Sequence, residues 1–311
     1  MNIGLVDVDG GKKFPNICLM KISAWHKSKG DNVEWADPLF GEYDIVYMSK
    51  VFSFSPDDNT CYNTKKIIKG GSGYAITLVD GREVYDKSKD TNLPDEIEHI
   101  YPDYSIYPEL TKDTAFGFLS RGCPRGCFFC HVKSKEGQRA YKVADLSEFW
   151  SGQKNIVLCD PNILACCEWS GLLQQLIDSG AYVDLNQGID ARLITDEKAE
   201  MLSRIKLKEI HFAWDRYQDK EYVLRGLEIF ARHYKKKLAH NCIVFTIVNF
   251  DTTIEQDLDR VYTLRKLGYW AYIMIYDKEH CAPIYKKLQR WVNNRFIFGA
   301  CDNFDNYLKK Y

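Results

Sequence analysis

The sequence predicts an α/β protein in two parts: a small parallel sheet covered by helices over residues 1–90, then six strand–helix units forming a parallel barrel or an open barrel fragment. Three observations predict it. Short apolar runs bounded by Gly, Asp or Asn alternate with stretches of helical periodicity along the chain. The alternation repeats six times after residue 114, and a chain of 311 residues with 45% hydrophobic content can bury a core of that size.

In the first part, Ile3 to Val8 is an apolar run closed by Asp9-Gly10-Gly11, and Ile17 to Lys27 places Leu19, Met20 and Ala24 at helical spacing. Val33 to Trp35, Tyr43 to Met48 and Lys65 to Ile68 read as further strands. The last runs into Gly70-Gly71-Ser72-Gly73, whose spacing is not Gly-x-Gly-x-x-Gly; a tight turn at a sheet edge is favoured over a dinucleotide loop. From Asp86 to Lys112 the chain is rich in Asp, Lys, Tyr and Pro, and Pro94, Pro102 and Pro108 block a long helix; residues 91–113 are read as a linker.

The six later strands are expected at Ala115–Leu119, Asn155–Cys159, Tyr182–Asn186, Glu209–Trp214, Cys242–Val248 and Trp270–Tyr276, within a domain of residues 114–292 followed by a C-terminal extension at 293–311. Helix signals fit between them. Thr253-Ile254-Glu255-Gln256 is a capping box, Leu258, Val261 and Leu264 continue one face, and Gly268 offers a stop. In a parallel barrel functional residues gather where the strands end. Those ends deliver Asp160 and Asn162, then Gln187, Asp190 and Arg192, then Asp215, then Asn249 and Asp251, then Tyr276 and Asp277. Helix capping is the competing role for Asp190 and Asp215, and a surface position for Arg192.

The chemistry is concentrated in Cys123-Pro124-Arg125-Gly126-Cys127-Phe128-Phe129-Cys130. A Cys-x3-Cys-x2-Cys run supplies three thiolates, enough for three corners of a cubane 4Fe-4S cluster, with one iron left open to a ligand. Structural zinc sites close with four ligands, so the zinc alternative needs His131 or a distant cysteine as well. Of the remaining thiols, Cys159, Cys166, Cys167, Cys281 and Cys301 could hold a second cluster, but adjacent Cys166-Cys167 lacks the clustered spacing of an added ligand set and most of the five read as small buried groups.

This run, with aromatic Phe129 before its last cysteine, resembles the cluster loop of the radical S-adenosylmethionine superfamily. The resemblance implies a partial (β/α)6 TIM-like barrel whose loop follows the first strand, metal ligands Cys123, Cys127 and Cys130, and S-adenosylmethionine as cosubstrate. It also implies that the first part is the N-terminal Rossmann-like three-layer, cobalamin-binding-like domain of one branch of that superfamily. Phe129, Asp160, Asn162, Gln187, Arg192, Asp215 and Asn249 are the implied contacts to the cosubstrate. Where the family has a Gly-Gly-Glu-like element after the second strand, Cys159-Asp160-Pro161-Asn162 stands instead, and Asp160 is the first candidate to meet the methionyl amino group. A low-potential cluster implies an electron donor such as flavodoxin or ferredoxin. Cobalamin is disfavoured, since no Asp-x-His-x-x-Gly motif occurs, although other members of the branch bind it without a lower histidine.

Composition narrows the alternatives. Lys and Arg total 42 against 43 Asp and Glu, so net charge does not indicate a nucleic-acid partner. No run of eighteen apolar residues indicates a membrane span, and the acidic start with eleven cysteines is read as a cytoplasmic protein. No Gly-x-Ser-x-Gly elbow supports a hydrolase. A methylthiotransferase would need a second cysteine triad in the first domain, where only Cys18 and Cys61 precede Cys123. The reading is thus a radical S-adenosylmethionine enzyme of unknown substrate. A cobalamin-dependent radical methyltransferase is one alternative, and a non-enzymatic metal or nucleic-acid binding protein another.

Overall fold

The structure is a computed structural model that describes residues 1–11, 14–79 and 82–310. Its contacts divide the chain into two compact units. The first comprises Met1–Phe118, Gly122–Arg139 and Val143–Ile156; the second comprises Leu119–Arg121, Ala140–Lys142 and Val157–Tyr311.

Four parallel strands organise the first unit: β1 (Asn2–Asp7), β2 (Asn32–Trp35), β3 (Ile45–Ser49) and β4 (Ile67–Gly70), in the order β2-β1-β3-β4. Alternate side chains of β1 point to opposite faces. Ile3 and Leu5 meet Leu19 and Ile22 of the helix Ile17–Ser28, whereas Val6 packs with Tyr43, Val46 and Met48. Asn16 starts that helix by accepting the amide hydrogen of Leu19. Helices were expected on both faces, but no long helix joins β2 to β3 or β3 to β4. The connection from 51 to 66 carries Ser53, Ser55, Pro56, Asp57, Asp58 and Asn59, a composition without apolar periodicity, so Ala36, Tyr43 and Tyr62 help to cover that face instead. A hairpin of β5 (Ile76–Val79) and β6 (Arg82–Tyr85) follows.

The stretch read as a linker is packed. Ile97 is buried with Ile3, Leu5, Leu19 and Ile22, supported by Leu93 and Ile106, and the Asp103 carboxylate accepts from Ser23 and Lys27. Its prolines restrict it to short turns such as Asp95–Glu98 and Pro108–Thr111 without preventing burial.

The second sheet has six strands, which the chain enters consecutively from one edge to the other. They are β7 (Thr114–Gly117), β10 (Asn155–Leu158), β11 (Tyr182–Asp190), β12 (Leu207–Ala213), β13 (Cys242–Val248) and β14 (Trp270–Ile275), with β11 to β14 paired in parallel. Every expected strand is present. The short pair β8 (Ser120–Arg121) and β9 (Tyr141–Lys142) stands outside this sheet. Helices follow each later strand, and the one at Ile254–Leu267 has the expected capping box at Thr253 and a left-handed stop at Gly268. The C-terminal extension contains the helices Arg295–Ala300 and Phe304–Lys310, whose Phe298, Phe304 and Tyr307 pack around buried Trp291. Among the described residues no helix is long and apolar enough to cross a membrane.

Candidate functional site

The cysteine run is an irregular loop between β8 and the short helix Val132–Glu136, and Cys123, Cys127 and Cys130 are all half-buried. Backbone contacts hold its entrance. The Gly122 amide donates to the Glu136 carboxylate at 2.9 Å and the Cys123 amide to the Gly137 carbonyl at 3.3 Å. Gly122 has φ +79°, and a Cβ there would lie 2.2 Å from the Arg139 carbonyl oxygen, so only glycine fits that crossing. At the far end the Cys130 amide donates to the Cys127 carbonyl at 3.1 Å, folding these two cysteines into one turn. Phe128 is exposed and Phe129 half-buried. His131 faces Glu83, with Nε2 3.2 Å from its carboxylate.

In the second unit the polar residues at the strand ends have distinct roles. Asp160 is buried, and its carboxylate accepts from the Leu119 amide, the Ser120 amide and the Ser120 hydroxyl at 2.5–2.8 Å. Burial pushes its carboxyl up to about 7 against the lowering effect of those hydrogen bonds. Asp160 is therefore a strut for the turn entering β8. Asn162 is also buried and begins the turn Ile163–Ala165.

β11 carries a bulge: Leu185 pairs with Ile210 and Ile189 with Phe212, so three residues on β11 oppose one on β12. Gln187 lies in that bulge and is exposed. Asp190, by contrast, caps the turn Ala191–Leu193. It accepts from the Arg192 amide and pairs with the Arg192 side chain at 2.7 Å, while the other end of the guanidinium meets Asp219. The helix Lys220–His233 pins this turn, because a Cβ on Gly226 would lie 1.8 Å from the Ala191 carbonyl oxygen.

Asp215 is no cap. Its Oδ1 is buried without a hydrogen-bond partner, and burial pushes the carboxyl up to about 6, against the pull of Arg260 and Arg192. Asp190, Arg192 and Asp215 thus share one electrostatic neighbourhood. Asn249 has φ +62° and donates from Nδ2 to the Tyr276 carbonyl at 2.9 Å; Asp277 also has a positive φ, at 47°. Asparagine and aspartate tolerate this left-handed region better than most residues.

Arg260 is the residue that sequence reasoning missed. Fully buried, it donates to the carbonyls of Trp214, Asp215 and Ile247 and pairs with Asp257, thereby tying the ends of β12 and β13. Its helical position three residues after Asp257 looks like an ordinary surface pair in the sequence.

A cavity of ≈ 550 Å³ opens in the first unit beside the ends of β1 and β2, lined by Asp7, Gly10, Gly11, Trp35, Tyr62 and Tyr107 among others. Tyr107 donates to Asp7 at 2.6 Å. No histidine lines it among the described residues. The glycines after β4 have a structural role: a Cβ on Gly71 would fall 2.2 Å from the Lys50 carbonyl oxygen, and one on Gly73 2.7 Å from that of Phe52.

Comparison with known protein families finds no family that matches this chain, and comparison with curated proteins finds none with significant similarity.

Proposed function

We propose that this protein is a radical S-adenosylmethionine enzyme, built on a partial TIM-like barrel with a Rossmann-like N-terminal part, that acts on a substrate still to be identified. The observation that carries the reading is the cysteine loop: three half-buried thiols within one short run, its entrance fixed to the 136–139 segment through Gly122 and Cys123. Three thiols in one short run, with no fourth cysteine close by in the sequence, fit a three-coordinated iron–sulfur cluster better than a closed zinc site.

Cys123, Cys127 and Cys130 would hold a 4Fe-4S cluster. When bound, it supplies the electron that splits the carbon–sulfur bond of S-adenosylmethionine, giving methionine and a 5′-deoxyadenosyl radical that removes hydrogen from the substrate. The protein's own residues bind and orient. The buried Oδ1 of Asp215 offers an acceptor to a cosubstrate hydroxyl or ammonium, and Gln187 offers an exposed amide from the β11 bulge. Asn249 supplies a side chain fixed by its carbonyl contact. Arg192 acts with Asp190 and Asp219 to hold the turn after β11, and Asp160 and Asn162 support the chain around β8 and β10. Phe129 supports the loop between two of the cysteines. A flavodoxin or ferredoxin in a reducing cytoplasm is the fitting electron donor.

Anaerobic reconstitution with iron and sulfide tests this reading. The expected result is a cubane electron paramagnetic resonance signal that shifts on adding S-adenosylmethionine, release of 5′-deoxyadenosine on reduction, and loss of both in Cys127→Ala. An unchanged signal in Cys127→Ala, or no cleavage by fully loaded protein, refutes it.

A further inference from the structure

The second unit gathers three metal-ligating side chains on one face of its sheet. Asp184 of β11 lies directly opposite Glu209 of β12, and His211 follows two residues later on the same face. One ligand atom from each of the three lies within 4.8 Å of the others. Two carboxylates directly opposite each other on adjacent strands repel, and here they are brought together on a partly buried surface. Among the described residues, the only cation-forming group within 4 Å of either carboxylate is the imidazole itself, whose Nδ1 lies 3.7 Å from Asp184 Oδ1 and whose Nε2 lies 3.6 Å from the Glu209 carboxylate. Asp184 Oδ1 is buried with no hydrogen-bond partner.

The histidine is oriented as a ligand. Its side chain is 7% exposed and its ring stacks on Phe245 at 4.8 Å. Nδ1 lies 2.9 Å from the Leu185 carbonyl, which can only accept, so Nδ1 carries the hydrogen and Nε2 of the neutral ring keeps its lone pair. A backbone carbonyl that fixes the tautomer in this way is the usual outer support of a metal-bound imidazole. Glu209 is 40% exposed, which leaves a path for the ion and for water.

We propose that Asp184, Glu209 and His211 bind a divalent first-row transition-metal ion, with water completing its coordination. One nitrogen and two carboxylate oxygens suit zinc, cobalt or iron(II), and three protein ligands leave open positions. The ion would relieve the repulsion between the two acids and pin β11 to β12. The proposal does not depend on the cluster chemistry.

Cobalt(II) titration of the full-length chain, with Cys123, Cys127 and Cys130 all replaced by Ser to silence that thiol set, tests it by optical absorption. We expect one cobalt per chain with ligand-field bands and no thiolate charge-transfer band. Glu209→Gln and Asp184→Asn, each checked for folding by circular dichroism, should weaken uptake by at least about tenfold, the scale on which even outer-shell changes act. Glu209 is exposed enough for its variant to fold. Absence of cobalt uptake, or uptake altered less than about twofold by both substitutions, overturns the site, since losing a ligand exceeds the outer-shell scale.

Discussion

Asp160→Asn should remove a specific part of the pH dependence of stability. In the folded chain burial raises this carboxyl from the ordinary 3.8 to about 7. Between those values the folded protein therefore holds a proton that the unfolded chain has released. Stability linked to Asp160 is complete below the unfolded value, falls as pH climbs through that interval and levels off above the folded value. Such a shift corresponds to about 4 kcal/mol in total, of which roughly 2–3 kcal/mol falls between pH 5 and pH 8. Asparagine has the same shape and no titration. Asp184 and Asp215 are also raised, but they titrate in both proteins and cancel in the comparison. The assay is urea unfolding followed by circular dichroism at pH 5, 6, 7 and 8 under a thiol reductant. Relative to the variant, the wild type should lose stability by that amount as pH rises. A difference that stays constant with pH, or one that grows in favour of the wild type, refutes the assignment of Asp160 as a buried acid.

Three further outcomes follow from the second unit. Gly226→Ala forces a methyl to within 1.8 Å of the Ala191 carbonyl; the helix must move, and the cost of about 2–4 kcal/mol by denaturant unfolding should exceed any gain in helix propensity. Arg260→Met leaves Asp257 and three carbonyls without their buried partner, so a loss of about 3–5 kcal/mol is expected, and a loss below 1 kcal/mol would deny the tie between β12 and β13. Both Asn249→Ala and Asn249→Gly lose the hydrogen bond to Tyr276, but alanine is also strained at a positive φ and should cost about 1–2 kcal/mol, roughly 1 kcal/mol more than glycine, which adopts that φ freely. Equal effects of the two substitutions would show that backbone strain is unimportant there.

The second sheet was legible because each strand is a compact apolar run followed by a helical stretch, and sequential parallel strands need little more than that alternation to be found. Ends were harder. β11 runs on to Asp190 because the bulge around Gln187 lets an interrupted apolar pattern remain paired, something no period-two reading of Tyr182 to Asn186 conveys. In the first unit, the expected layer of helices on both faces failed where the 51–66 connection lacks periodicity. The burial of Ile97 within the 91–113 segment was not legible, because prolines mark turns but do not report whether a single apolar residue between them is buried. Capping by Asp190 was readable from its position before a turn. The burial of Asp160, Arg260 and His211 was not, since each depends on partners brought from other elements: Leu119 and Ser120, Trp214 and Ile247, Asp184 and Leu185.

The involvement of Ile97 in the same apolar cluster as Ile3 and Leu5 bears on how this chain is to be shortened or grafted. A fragment ending at residue 90 would leave a wet gap over its first strand and shed the tyrosine that closes onto Asp7. Deletion series and chimaeras should therefore carry the N-terminal sheet through at least Phe118, and proteolytic nicks between 91 and 113 should loosen that sheet rather than liberate it intact.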